Sequence, residues 1–213
     1  MKTTTLIGGI GGIVFGVLMF VGLLVAAPPG GSYKASDLTS YVASGHRGVV
    51  LVALYLVIVA ILGLICLLAR LREEVSVGAD EQPVALSIFW GTGLAAAVAF
   101  VIGWAVSVSV PVAYLFGGDG FSITPSETYA IVEAGDAILL GAGAILLGFA
   151  LIALFISART ALPTWFGWVT LIAGILGLAS PAFFPFFALL IWGLVAGIWL
   201  LATTRTTVTA PAT

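Results

Sequence analysis

The stretch Leu6–Ala27 reads LIGGIGGIVFGVLMFVGLLVAA and is closed by Pro28-Pro29-Gly30-Gly31. It carries no charge, and at about 1.5 Å per residue it is long enough to cross a hydrocarbon core of about 30 Å. Lys2 ahead of it and Val25-Ala26-Ala27 at its end imitate a secretory signal. The apolar part of a signal is shorter, about 7–15 residues, so the stretch is read as a first membrane helix over 6–27.

The rest of the chain follows the same pattern. Of 213 residues 62% are hydrophobic and 8% charged, with a mean hydropathy of +1.26. Soluble domains are about half apolar and a quarter charged, so water is not the main solvent here. Further apolar runs, bounded by charge, Pro or Gly, predict helices over 48–69, 84–110 and 125–158. The second lies between His46-Arg47 and Arg70-Leu71-Arg72. The third follows Pro83, is interrupted at Pro111 and ends before Gly117-Gly118-Asp119-Gly120. Thr124-Pro125-Ser126-Glu127 is a helix start, yet the uninterrupted apolar run begins only after Asp136, so the fourth helix is expected to project two or three turns from the membrane. The segment from Thr164 to Thr203 is read as two short helices, 164–181 and 185–203, around Ser180-Pro181-Ala182-Phe183-Phe184-Pro185. A re-entrant hairpin packed on protein is the competing arrangement. The expected fold is therefore all-α, a single polytopic transmembrane bundle of about six helices.

Lys and Arg set the orientation. With the N-terminus inside, Lys2, Arg70, Arg72, Arg159 and Arg205 are cytoplasmic and only Lys34 and Arg47 are outside, which favours N-in and C-in. In the outer loop, Ser36-Asp37 followed by Leu38, Tyr41 and Val42 suggests a short amphipathic helix on the outer surface.

Composition also excludes functions. A net charge of −2 with seven scattered cations offers no basic stripe for nucleic acid. Cys66 is alone and cannot form an internal disulfide. The only lysines, Lys2 and Lys34, lie outside the runs, which removes a retinal Schiff base. The lone His46 cannot supply a bis-histidine haem or a three-histidine zinc site, nor does it lie deep enough for a Ser-His protease. Glu133-Ala134-Gly135-Asp136 keeps only part of the Gly-x-Gly-Asp setting of aspartyl intramembrane proteases, without a second buried Asp. No cofactor is expected.

Glu133 and Asp136 stand three apart and share a helix face. Counting back from Arg159, the residues from Ala137 to Ser157 already fill the core, so both carboxylates fall at the outer boundary beside His46 and Arg47. His46, Arg47, Glu133 and Asp136 thus form a candidate outer cluster. It reads either as an ion pair of Arg47 with Asp136 or Glu133 capping the bundle, or as the mouth of a proton or solute path. For a path, the interior offers only Ser87, Thr92, Ser107, Ser109, Tyr55 and Thr170. Gly8, Gly12, Gly16, Gly193 and Gly197, at four-residue spacing, are candidate helix-packing faces, internal or against another chain. Trp90, Trp165, Trp168, Trp192 and Trp199 fall near helix ends at headgroup level, with Trp104 in the core. Phe183, Phe184, Phe186 and Phe187 are candidate lipid or partner contacts.

The segment Leu162-Pro163-Thr164-Trp165-Phe166-Gly167-Trp168, a glycine-rich helix, the Phe183-Phe184-Pro185-Phe186 turn and Trp192-Gly193 resemble bacterial six-helix membrane proteins of unknown function. The resemblance covers about the last 55 residues and implies a bacterial cytoplasmic membrane; it brings no site residues. The functional expectation is a non-enzymatic accessory or stabilising subunit of a larger membrane complex, such as a transport complex, in contact with lipid and with a membrane-protein partner or its own copies. The alternative is a small transporter or lipid-handling protein gated by the outer cluster. An intramembrane enzyme ranks third.

Overall fold

Glycine lets the first helix contact two neighbours at backbone distance. The computed structural model describes residues 3–29, 34–77, 84–158 and 161–206, and these are all-α, without a strand among them. Helix α1 (Thr3–Ala26) packs chiefly on α3 (Ser44–Ser76) and α9 (Phe186–Thr206). A Cβ on Gly11 would lie 2.5 Å from the Gly63 carbonyl oxygen of α3, and one on Gly12 would lie 2.6 Å from that of Gly193 and 2.9 Å from Gly197 Cα, both in α9. Gly8 faces the Arg70 side chain, and Gly16 faces Leu190 and Leu194. The candidate packing glycines therefore all serve contacts within the chain, where van der Waals fit replaces the hydrophobic drive that lipid cannot supply.

Among the described residues five helices are long and apolar enough to cross a membrane: α1, α3, α4 (Val84–Ser107), the continuous Pro125–Ser157 and α9. The Pro125–Ser157 helix comprises α6 (Pro125–Asp136), a π-helical turn (Ala137–Gly143) and α7 (Ala144–Ser157). At 33 residues it is about 50 Å long, more than a bilayer core requires. Its start has a full capping box, the Thr124 side chain accepting from the Glu127 amide and the Glu127 carboxylate accepting from the Thr124 amide at 2.9 Å.

Several boundaries depart from hydropathy. The helix expected over 48–69 runs on to Ser76, because Arg70 pairs with Glu73 (3.0 Å) and Glu74 on its own face and donates to Thr5 of α1 at 3.1 Å. Charge ended the apolar run but not the helix. Arg72 lies 5.2 Å above the Trp90 ring and joins α3 to α4. The helix expected over 84–110 breaks after Ser107 and resumes as α5 (Ser109–Gly117). In the last third, α8 (Thr164–Leu178) has 15 residues, about 22 Å, and is followed by a 3-10 turn, Ser180–Ala182, that packs against the π-helical turn. Lys2, Gly30, Gly31, Pro83 and Arg159 lie outside the described residues, as does the Arg205 side chain.

Two aromatic expectations are corrected. Trp192 is buried, its indole N–H donating to Thr170 Oγ1 at 3.1 Å, so it is a core residue and no headgroup anchor. Phe186 is fully buried against Phe100, with ring centroids 6.0 Å apart, because the helix start turns it inward. Phe187 is half-buried against Phe20, and only Phe183 and Phe184 of the four remain exposed.

Candidate functional site: a polar node at a helix break

Proline creates the node. Pro111 has no N–H, so the carbonyl four residues back, that of Ser107, loses its intrahelical donor where α4 gives way to α5. Unpaired and buried, such an acceptor would cost about 1–3 kcal/mol. Tyr41 supplies the donor, its hydroxyl lying 2.9 Å from the Ser107 oxygen.

Tyr41 ends the seven-residue helix α2 (Ala35–Tyr41), the short helix expected from Leu38, Tyr41 and Val42. Leu38 and Tyr41 are buried at 4% and 2% exposure, so α2 packs onto the bundle through the face expected to meet the outer surface. The Tyr129 hydroxyl of α6 donates to the Lys34 carbonyl at 2.8 Å and fixes the start of α2. Burial, then the nearby Asp136 carboxylate, hold the Tyr41 hydroxyl protonated well above the ordinary tyrosine range.

Ser107 works with both its polar groups. Its Oγ lies 2.9 Å from Asp136 Oδ1 and 3.1 Å from the Gly103 carbonyl. A hydroxyl has one proton, and the charged acceptor forms the stronger bond. Glycine permits this approach of α4 and α6: a Cβ on Gly135 would fall on Ser107 Oγ, and one on Gly103 would lie 2.6 Å from the Leu139 amide nitrogen. The π-helical turn begins at Ala137, directly after the carboxylate, and such turns favour functional positions.

The four expected cluster residues are therefore divided. Arg47 makes no ion pair with Asp136. Its Nε donates to the Val42 carbonyl at 2.8 Å and its Nη1 to the Tyr114 carbonyl at 3.4 Å, with the guanidinium 4.8 Å from the Tyr114 ring centroid. The α5 segment brought in by the break supplies those partners. His46 Nε2 lies 3.0 Å from the Ala26 carbonyl at the end of α1; a carbonyl only accepts, so Nε2 carries the hydrogen. Glu133 is exposed on α6, one turn before Asp136. Charge counting found Asp136, while Ser107 stood only among the polar residues of a possible path and Tyr41 only on the face of a short helix. The signal that marks Ser107 is Pro111, read back four residues to an orphaned carbonyl; no sequence signal joins Tyr41 to it.

Deeper in the bundle, polar side chains do not join into a chain. The buried Ser and Thr among the described residues are Thr5, Ser107, Thr128, Thr170 and Ser180, and the buried Trp104 indole N–H has no partner. Each hydroxyl is bonded locally: Thr5 to Arg70, Thr128 to the Thr124 carbonyl, Thr170 to Trp192 and Ser180 to the Leu176 carbonyl. Tyr55 and Ser87, possible rungs of a path in the sequence, are exposed. No protein-family model matches the chain, nor does any curated protein or any solved structure.

Proposed function

We propose that this chain is a non-enzymatic integral membrane protein that acts by association, as an accessory or stabilising subunit of a larger membrane assembly such as a transport complex in a bacterial cytoplasmic membrane. In this reading the α8–α9 hairpin completes six crossings, with both termini in the cytoplasm. The observation that carries it is the interior: glycine-spaced backbones in contact, and buried Ser and Thr hydroxyls bonded to near neighbours instead of lining a route, with the Trp104 indole N–H the one buried side-chain polar atom left unpartnered among the described residues. With the glycine faces used internally, the exposed aromatic turn at Phe183 and Phe184 is the surface assigned to the partner. Isolation of the tagged protein in native nanodiscs, followed by mass spectrometry, tests this. A stoichiometric membrane partner lost in Phe184→Ser supports it, and a chain recovered only alone overturns it.

A second reading, a small transporter or lipid-handling protein, is favoured by the Pro111 break and the π-helical turn flanking Asp136. Broken helices beside an ionisable group recur where ions or solutes bind. A pH-dependent flux lost in Asp136→Asn, with the protein still folded, would establish it in place of the first.

A further inference from the structure

Phe183 sits at φ 67 and ψ −61, and the Phe184 amide donates across it to the Ala182 carbonyl at 2.9 Å. This is the rare, left-handed form of the γ-turn, strained for any residue with a Cβ and more so for a bulky one. Such strain persists only where the surroundings over-determine it. Here the Phe183 amide donates to the Ser180 carbonyl at 2.8 Å and the Phe183 carbonyl accepts from the Phe186 amide at 3.1 Å. The Phe183 ring stands edge-on to Phe187, with centroids 5.5 Å apart. Phe184, the next residue, is exposed, so a contact there acts directly on the strained position.

A line of packing leads from this turn to the π-helical turn of Pro125–Ser157. The bond from Phe186 to the Phe183 carbonyl sets the start of α9, and the Phe186 ring meets Phe100. Phe100 lies over Gly143, the last residue of the π-helical turn, where a Cβ would be 2.6 Å from Phe100 Cδ1. Ser180–Ala182 packs on the same π-helical turn. At its other end that turn begins beside Asp136, whose Oδ1 accepts from the Ser107 hydroxyl at 2.9 Å.

A π-helical turn holds an extra residue, so it moves along a helix only by rotating each residue it passes by about 100°, one residue's share of an α-helical turn. Moved past Asp136, it would swing the carboxylate off Ser107. The same rotation would carry Gly135 out of its contact and bring a side chain against α4, where even a Cβ on Gly135 falls on Ser107 Oγ. Movement of the turn therefore parts α4 from α6. Chains of packed side chains with two discrete arrangements are the physical means by which one site biases another.

We propose that the Phe183 turn is a strained catch: through Phe186 and Phe100 it holds the π-helical turn in register, and its release frees Asp136 from Ser107 and opens the polar node. The inference concerns the chain by itself and stands apart from its reading as an accessory subunit.

The test compares Phe183→Gly with Phe183→Ala in the full chain in detergent micelles. Both remove the ring, and only alanine keeps the cost of the left-handed backbone. Hydrogen exchange read by mass spectrometry is expected to run about tenfold faster over residues 135–143 in Phe183→Ala, with exchange across α3 the same in both. Phe183→Asn, which tolerates positive φ, should fall between them and keeps the comparison with glycine if the alanine variant does not fold. Phe100→Leu shortens the wedge between Phe186 and Gly143. In that background the Phe183 variants should exchange alike over residues 135–143 while still differing over 183–187. Equal exchange over residues 135–143 in the Phe183 variants, any other ranking of them, a difference that extends equally to α3, or one that survives Phe100→Leu overturns the proposal.

Discussion

The hydroxyl of Tyr41 closes a hydrogen bond to the carbonyl of Ser107, 66 positions away in the chain, and so occupies the acceptor that Pro111 leaves vacant. Tyr41→Phe is expected to destabilise the fold by about 1–3 kcal/mol by stranding that buried carbonyl. Pro111→Ala restores a local amide, so the double variant should recover part of the loss. A double-mutant cycle on reversible unfolding in mixed micelles reads the coupling; strictly additive effects would argue against it.

Gly12→Ala and Gly91→Ala form a matched pair. A Cβ at Gly12 meets the backbone of α9, which yields only if the helices part, and is expected to cost about 1–3 kcal/mol. At Gly91 nothing lies within 4 Å, so the same change should be neutral or stabilise by up to about 1 kcal/mol. Thermal melts of the two variants should move in opposite directions or differ clearly in size.

At the node, the position without a side chain should matter more than the charged one. Asp136→Asn keeps an oxygen for Ser107 Oγ and is expected to cost about 1 kcal/mol. Gly135→Ala places a methyl on Ser107 Oγ and pushes α4 from α6, at about 1–3 kcal/mol. Unfolding midpoints that rank the two the other way would refute this account of the contact.

Thr124→Ala removes the Oγ1 that caps the Glu127 amide and should cost about 1 kcal/mol, confined to the start of α6. Hydrogen exchange is expected to quicken over the first turns after Pro125 and to stay unchanged around Arg70.

Hydropathy located the apolar helices because a bilayer imposes length and composition together, as Leu6–Ala27 illustrates. Ends set by side-chain pairing were less legible: Arg70, counted as a stop, instead continues α3 through Glu73 and Glu74. Periodicity marked Leu38 and Tyr41 as one face, but whether that face meets lipid or protein depends on tertiary packing. Asp136 stood out as an ionisable residue at a membrane boundary. The sequence offered Arg47 as a partner to Asp136 or Glu133 because charge suggested the pair, whereas geometry gives Asp136 a serine and Arg47 two carbonyls. Gly135 was weighed as part of a catalytic motif, and its role lies in the close approach of two helices.

The 15-residue α8 stands beside helices of 24 and 33 residues in one bundle, and no sheet of uniform thickness suits them all. Its turn rests against Ala137–Gly143, and Phe184 beside it is 79% exposed. In the six-crossing arrangement proposed above, lipids on that flank would shorten or tilt their chains to keep the turn covered, at a fraction of a kcal/mol per Å of mismatch. So placed, the chain would carry a dimple into the bilayer around it, and thinner membranes would hold it with less deformation.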